Sequence, residues 1–183
     1  MHTKKQSEKN IVLIGFMGVG KTSAGNVLAD QLNCDFVDTD EEIEKEANMP
    51  TAKIFATFGE KAFREREKQL IIELCEQQNG TVISLGGGAF LQKEIREACL
   101  STSTVVFLDI SWKAWQERLP LIFDSRPVLH EKTSEEMNEL FYKRKKIYEE
   151  YHHIKVKVDQ LSIEATAKQI INSLKEDAYR LNS

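Results

Sequence analysis

Cysteine is scarce in this sequence: three residues among 183, at Cys34, Cys75 and Cys99. They are widely spaced and form no C-x-x-C pair, so neither a disulfide framework nor a zinc-type ligand spacing is present. Reduced, mostly buried thiols acting as small hydrophobes are the expectation. No apolar run approaches the roughly 20 residues that a bilayer crossing needs. The opening residues, Met1-His2-Thr3-Lys4-Lys5-Gln6-Ser7-Glu8-Lys9-Asn10, carry lysines with no apolar h-region behind them, which argues against a secretory signal. Residues 1–10 read as a polar, mobile leader, and a cytoplasmic address follows by elimination. An excess of basic charge is also missing. The net charge is −4, which argues against a nucleic-acid surface. The one basic cluster, Lys143-Arg144-Lys145-Lys146, has acidic stretches on both sides. No internal repeat, low-complexity tract or linker divides the chain.

Hydrophobic residues make up 41% and charged residues 30%, an ordinary balance for one folded domain over residues 11–183. Short apolar runs alternate with longer amphipathic ones, the rhythm of an α/β domain with a parallel sheet. Ile11-Val12-Leu13-Ile14 is a buried strand that ends at Gly15, and Ala24, Val27, Leu28 and Leu32 then recur at helical spacing. Phe36-Val37-Asp38 is a second short strand. Residues 41–78 read as helices, interrupted at Met49-Pro50 and near Gly59. Thr81-Val82-Ile83-Ser84-Leu85 is a third strand, stopped by Gly86-Gly87-Gly88, and Thr104-Val105-Val106-Phe107-Leu108 a fourth, followed by a helix that Ser111 can cap. Residues 119–132 hold two prolines and a histidine and read as a loop. A capping box, Thr133-x-x-Glu136, opens a helix to about Tyr151. Residues 154–158 form a fifth strand, and Ile163, Ala167, Ile170, Ile171 and Leu174 mark a final helix.

Between the first strand and the first helix stands Gly15-Phe16-Met17-Gly18-Val19-Gly20-Lys21-Thr22. This satisfies G-x-x-x-x-G-K-[ST] in the strand–loop–helix setting that gives the motif its meaning. The glycines let the backbone curl so that N–H groups of Gly18, Val19, Gly20 and their neighbours through Ser23 point at phosphate oxygens, and the helix adds its positive end. Lys21 reaches the β- and γ-phosphates, and Thr22 offers a hydroxyl to Mg²⁺. No N-K-x-D guanine signature occurs, which removes a GTPase switch, and a compact single domain suits a kinase of small molecules better than a motor ATPase.

Two strands end in aspartate and compete for the remaining carboxylate role. Val105-Val106-Phe107-Leu108-Asp109 has Walker B form. Asp38-Thr39-Asp40 offers two carboxylates one residue apart; in an extended segment both would face one side, and close like charges raise one pKa, which suits a base. The alternative reading of Asp109 is a helix-entry residue beside Ser111. On the acceptor side, Gly86-Gly87-Gly88 ends a strand, where ligands of open α/β sheets collect. Phe63-Arg64-Glu65-Arg66-Glu67 places arginines that could clamp a carboxylate bidentately, although a solvated charged face is the commoner explanation for such a run. Arg144 lies in the basic cluster, where surface charge is the simple account, and Arg126-Pro127 lies in a loop of the kind that closes over phosphates.

Taken together, the P-loop, Asp38-Thr39-Asp40, Phe63-Arg64 with Glu67, Leu85-Gly86-Gly87-Gly88, Arg126-Pro127, and Arg144 ahead of Tyr148 resemble the shikimate kinases, small members of the nucleoside-monophosphate-kinase-like P-loop enzymes. The resemblance runs from about residue 10 to residue 175. It implies a three-layer P-loop NTPase fold with a five-stranded parallel sheet in the order 2-3-1-4-5, a substrate-binding helical segment over about 40–78, and a lid over about 118–132. It implies transfer of the γ-phosphoryl group of ATP to the 3-hydroxyl of shikimate, on the route to chorismate and the aromatic amino acids, with Mg²⁺ as cofactor and a monomeric enzyme.

By the same resemblance, Asp40 binds the substrate hydroxyls and orients or deprotonates the attacking one. Arg64 and Arg144 grip the carboxylate, Glu67 holds the arginines, and Gly86, Gly87 and Gly88 line the pocket. Asp38 supports the metal beside Thr22, Lys21 and Arg126 stabilise the transferring phosphoryl group, and Arg118 stacks on adenine. Asp109 becomes structural. Four departures stand out. Residues 119–123, Leu-Pro-Leu-Ile-Phe, are apolar where such lids are polar and glycine-rich, and they are expected to pack on a neighbouring surface on closure. The spacing from Arg118 to Arg126 is about one residue longer than in the family pattern. Lys146 replaces a proline, and Asp159-Gln160-Leu161-Ser162 lacks one. The rival readings are a kinase for gluconate or a nucleoside monophosphate, a nucleotide-binding module without catalysis, and a nonspecific nucleic-acid binder.

Overall fold

The computed structural model describes residues 9–77, 79–124 and 127–181, with the side chains of Pro127 and Val128 left aside. Residues 1–8 of the expected leader, and Arg126, lie outside the described residues. Asn10, grouped with the leader for its polarity, is instead 1% exposed. Its side-chain amide donates to the Leu74 carbonyl at 2.9 Å and accepts from the Thr81 N–H at 3.0 Å.

Five strands, β1 (Ile11–Ile14), β2 (Phe36–Asp38), β3 (Val82–Ser84), β4 (Thr104–Asp109) and β5 (Ile154–Lys157), form a parallel sheet in the order β2-β3-β1-β4-β5. This is the order expected from the sequence. Helix α1 (Lys21–Leu32) follows β1, α2 (Thr39–Ala47) follows β2, and α3 (Thr51–Gln77) leads to β3. A 3₁₀ turn (Ala89–Leu91) and α4 (Lys93–Thr102) lead to β4; α5 (Trp112–Ile122), α6 (Pro127–His130) and α7 (Ser134–Glu150) lead to β5, and α8 (Ile163–Leu181) closes the order.

Because a strand's side chains alternate, the central strands feed two cores. Leu13, Val106 and Leu108 point to one face, against α1, α8 and the Trp115–Phe141 cluster of α5 and α7. Val12, Ile14, Val105 and Phe107 point to the other, against Ile71 and Cys75 of α3 and Ile95 and Cys99 of α4. A smaller cluster of Ile43, Ile54, Phe63 and Leu70 joins α2 to α3. The three cysteines are free, as expected, and the fold brings Cys75 and Cys99 to 3.8 Å across the α3–α4 interface. None of the described helices is long and apolar enough to cross a membrane.

The expected breaks within 41–78 are present. Asn48 ends α2 in the left-handed region (φ 52°), and Gly59 kinks α3 at φ 83°, ψ 161°, a conformation open essentially to glycine alone. Two readings are corrected. Residues 119–122 are the last turn of α5, not loop, although Pro120 removes one N–H from the ladder. Trp115, Leu119 and Ile122 recur on the buried face, and the Phe123 N–H donates to the Leu119 carbonyl at 2.9 Å, so packing carries the helix across the proline. Residues 127–130 also form a helical turn, α6. Helix α4 had no place in the sequence reading, because its start carries none of the usual capping residues.

Candidate active site

The donor half is built where β1 runs into α1. Gly18 (φ 75°) and Gly20 (φ 99°) sit in the left-handed region, which turns the loop without steric cost. Gly20 caps α1 with no side-chain bond, and the first turn holds no acidic residue. The helix therefore keeps its positive end uncapped by any side chain, which suits an anion. Lys21 is 8% exposed, and its ammonium donates to the carbonyls of Gly15 (2.6 Å) and Phe16 (3.2 Å), which folds it over the loop. Val19 is buried and Ser23 exposed on the first turn of α1.

Helix α5 braces this loop, a role the sequence reading missed for Trp115. The Trp115 indole N–H donates to the Met17 carbonyl at 2.9 Å, and its ring meets Phe16 edge-on at 5.3 Å. Arg118 donates to the carbonyls of Val19 (3.1 Å) and Val158 (3.2 Å), bridging the phosphate loop to the segment after β5. The Ile122 side chain lies against Gly18, where any Cβ would overlap it. Part of the apolar 119–123 segment is thus already seated on the loop, while Leu121 is 85% exposed.

The aspartates divide by geometry rather than by strand alternation. Strand β2 stops at Asp38, and Asp40 already belongs to the first turn of α2. Asp38 Oδ1 caps that helix, accepting from the N–H groups of Asp40 (3.0 Å) and Glu41 (3.1 Å), and its Oδ2 accepts from the Thr22 hydroxyl at 2.5 Å. Asp40 is turned instead to the glycine run. Between them, the fully buried Thr39 hydroxyl accepts from the Gly86 N–H (3.2 Å) and donates to the Ser84 carbonyl (3.3 Å). Asp109 takes the structural position: it is 6% exposed and held by Lys145 at 2.8 Å and Lys155 at 3.5 Å.

The three glycines each lie beneath a different charged group. A Cβ at Gly86 would overlap the Asp40 carboxylate, one at Gly88 would overlap the Arg64 guanidinium, and one at Gly87 would stand 3.2 Å from Arg144 Nη1. Arg64 bonds Glu67 at 2.8 Å and approaches Glu60 at 3.6 Å. Burial raises the pKa of Glu67 despite the opposing pull of Arg64. Burial likewise lowers the pKa of Arg144, whose Nε is buried without a hydrogen-bond partner among the described residues. A desolvated guanidinium with unmet donors gains from an anionic ligand. The Tyr148 phenol, pushed up to about 12 by burial, stays protonated and donates to the Gly87 carbonyl at 2.8 Å, which pins the turn.

Among the described residues no group of three or more His, Cys, Asp or Glu could hold a metal ion. A Thr hydroxyl backed by one carboxylate nevertheless matches Mg²⁺, which retains waters and takes ligands from phosphates rather than from an all-protein cage.

A phosphate loop at the head of a five-stranded parallel sheet, beside a glycine turn overlaid by Asp40, Arg144 and Arg64, defines a P-loop kinase of small molecules. The family profile for shikimate kinase matches residues 17–175. The chain is 55% identical over 168 residues to a shikimate kinase of Oceanobacillus iheyensis, covering 92% of this chain and 91% of that protein. Among solved structures, shikimate kinase from Aquifex aeolicus superposes with a TM-score of 0.80 at 35% identity, covering 93% of this chain and 98% of that one. The shikimate kinase of Acinetobacter baumannii in complex with shikimate gives 0.84 at 30% identity, covering 93% and 94%. The chain belongs to the shikimate kinase family.

Proposed function

We propose that this protein transfers the γ-phosphoryl group of ATP to the 3-hydroxyl of shikimate, with the donor on the loop from Gly15 to Thr22 and the acceptor over Gly86–Gly88. The observation that carries this reading is the placement of Asp40, Arg144 and Arg64 over three consecutive glycines. One carboxylate and two guanidinium groups meet on a surface with no side chains of its own. Such a surface suits a small acceptor that presents hydroxyls at one end and a carboxylate at the other.

In this assignment Arg64 and Arg144 bind the substrate carboxylate, and Glu67 holds Arg64. Asp40 accepts a hydrogen bond from the reacting hydroxyl, orienting it and taking up its proton as the bond to phosphorus forms. The acceptor's entry satisfies the unmet Arg144 Nε or its neighbouring donors, so binding energy goes into fixing the hydroxyl for in-line attack. On the donor side, the α1 N-terminus and the loop N–H groups bind phosphate oxygens, and Lys21 leaves the Gly15 and Phe16 carbonyls for the β- and γ-phosphates. The Thr22 hydroxyl donates its hydrogen bond to Asp38, which leaves its oxygen lone pairs available to a cation; these two residues would hold Mg²⁺, which supplies charge neutralisation of the phosphates. Arg126 is assigned to the transferring phosphoryl group from the 118–132 segment, and Arg118 to the adenine side. Every group named comes from one chain.

The test is ADP release coupled to a spectroscopic readout, with shikimate, gluconate and nucleoside monophosphates offered in turn. Turnover with shikimate and background rates with the others are expected. ATP binding without shikimate-dependent ADP release would sink the assignment.

A further inference from the structure

Gln92 occupies the N-cap of α4 with an extended backbone, yet its side chain makes no bond to that helix. Helix starts favour Ser, Thr, Asp or Asn, whose short side chains reach back to the first N–H groups. The Gln92 amide turns away and crosses to α3, where Nε2 donates to Glu67 Oε2 at 3.0 Å and to the Arg64 carbonyl at 3.3 Å. Both neighbours can only accept, so the NH₂ end of the amide must face them. Gln92 therefore touches both residues of the Arg64–Glu67 pair from a different helix.

Glu67 has little else to fix it. Its side chain is 0% exposed, Oε2 takes one bond from Arg64 Nη1 at 2.8 Å, and Oε1 has no hydrogen-bond partner among the described residues. A carboxylate held by one flexible partner can swing about that bond, and the partner swings with it. A second donor from α4 removes that freedom. The α3–α4 interface does not need this bond for cohesion, because Ile71, Cys75, Ile95 and Cys99 already pack there fully buried. We propose that Gln92 is a positioning residue for substrate recognition: it locks Glu67 in one orientation, and Glu67 in turn aims the Arg64 guanidinium across Gly88 at the substrate carboxylate. The inference rests on the assignment of Arg64 to that carboxylate.

The informative variant is Gln92→Met, which keeps the length of the side chain and removes the amide. The KM for shikimate should rise about 5- to 20-fold, less than the roughly 10- to 100-fold of a whole charge-assisted hydrogen bond because Arg64 keeps its own bond to Glu67. The KM for ATP and kcat should stay within about twofold, a split that a general packing defect would not produce. Gln92→Lys, which restores a donor on a similar stem, should bring the shikimate KM back to within about threefold of the parent. In an Arg64→Met background, Gln92→Met should add less than about twofold, since its effect runs through Arg64. An unchanged shikimate KM in Gln92→Met, with Arg64→Met raising it, would overturn the role of Gln92 alone. So would multiplicative effects in the double variant, or a parallel loss of kcat, both KM values and Tm. An unchanged shikimate KM in Arg64→Met would instead overturn the carboxylate assignment on which the inference rests.

Discussion

Asp40 and Asp38 stand two residues apart, yet their partners separate their tasks. Asp38 is committed on both oxygens, to the α2 cap and to the Thr22 hydroxyl, whereas Asp40 faces the glycine turn. Asp40→Asn should therefore lower kcat by about 10²- to 10⁴-fold, the usual range for a general base, while ATP affinity measured by titration stays at the parent value. Near-normal turnover would remove Asp40 from the chemistry. The glycines allow a finer separation, because each covers a different group. Gly86→Ala would push a methyl into the short, inflexible Asp40 side chain, and Gly88→Ala into the far end of Arg64. We expect the first to act mainly on kcat and the second mainly on the shikimate KM, each by about 10-fold or more, on the principle that small displacements of positioned groups are costly. Steady-state kinetics with shikimate varied at saturating ATP separates the two, and the same parameter changing in both variants would count against the division.

At the scale of elements, the site is held by bonds that join segments far apart in the chain. Thr39 ties the start of α2 to the end of β3, with its hydroxyl bonded to Ser84 and Gly86. Thr39→Val keeps the shape but takes a partner from the buried Ser84 carbonyl and from the partly buried Gly86 N–H, at a cost of up to about 1–3 kcal/mol for each group left unsatisfied. Thr39→Ser should retain most of the stability, and urea unfolding of the two variants checks the difference. The same distinction explains what the sequence could and could not convey. The phosphate loop, the five strands, the breaks at Met49-Pro50 and Gly59, and the Thr133 capping box are local patterns whose residues act on their chain neighbours. The convergence of Arg64, Arg144 and Asp40 is not local: separately the two arginines read as surface charge and Asp40 as one of the competing strand-end carboxylates, and only the ordered set of motifs, through resemblance, brought them together. Thr39 and Tyr148 stood in the recognised motifs without a role of their own, and Gln92 and Trp115 gave no signal, because the partners of all four lie 25 to 98 positions away. The last turn of α5 was misread for the opposite reason: a strong local signal, Pro120, was overruled by packing of Leu119 and Ile122 on the core.

For the whole molecule, the acceptor site concentrates positive charge in a protein whose net charge is −4, so recognition of two anionic substrates depends on a local field and not on the overall balance. The arrangement costs stability where Glu67 is buried, and the sign of that cost can be followed with pH. Its pKa is raised in the folded state, so between the ordinary glutamate value of about 4.3 and the higher folded value the native protein binds more protons than the unfolded chain. The contribution of Glu67 to stability is thus full below the unfolded value and is lost as pH rises through the folded one. Glu46 and Glu149 act in the opposite direction: hydrogen bonds from Arg66 and Lys155 lower their pKa values, so their contributions are lost in acid. Glu67→Gln isolates the first effect from the second. Arg64 is left with Glu60 and partial solvent exposure, so the substitution does not bury an unpaired charge. At pH 7 the variant should be more stable than the parent by on the order of 1 kcal/mol, or about 2–4 °C in Tm for a chain of this size. That advantage should shrink as pH falls toward 4.3. The same variant should bind shikimate more weakly, because a neutral amide holds the Arg64 guanidinium less firmly than a carboxylate. Thermal scans from pH 4 to 8 beside shikimate titrations measure both, and a variant that loses stability at pH 7 would show that the buried carboxylate holds the fold together rather than serving the substrate at its expense.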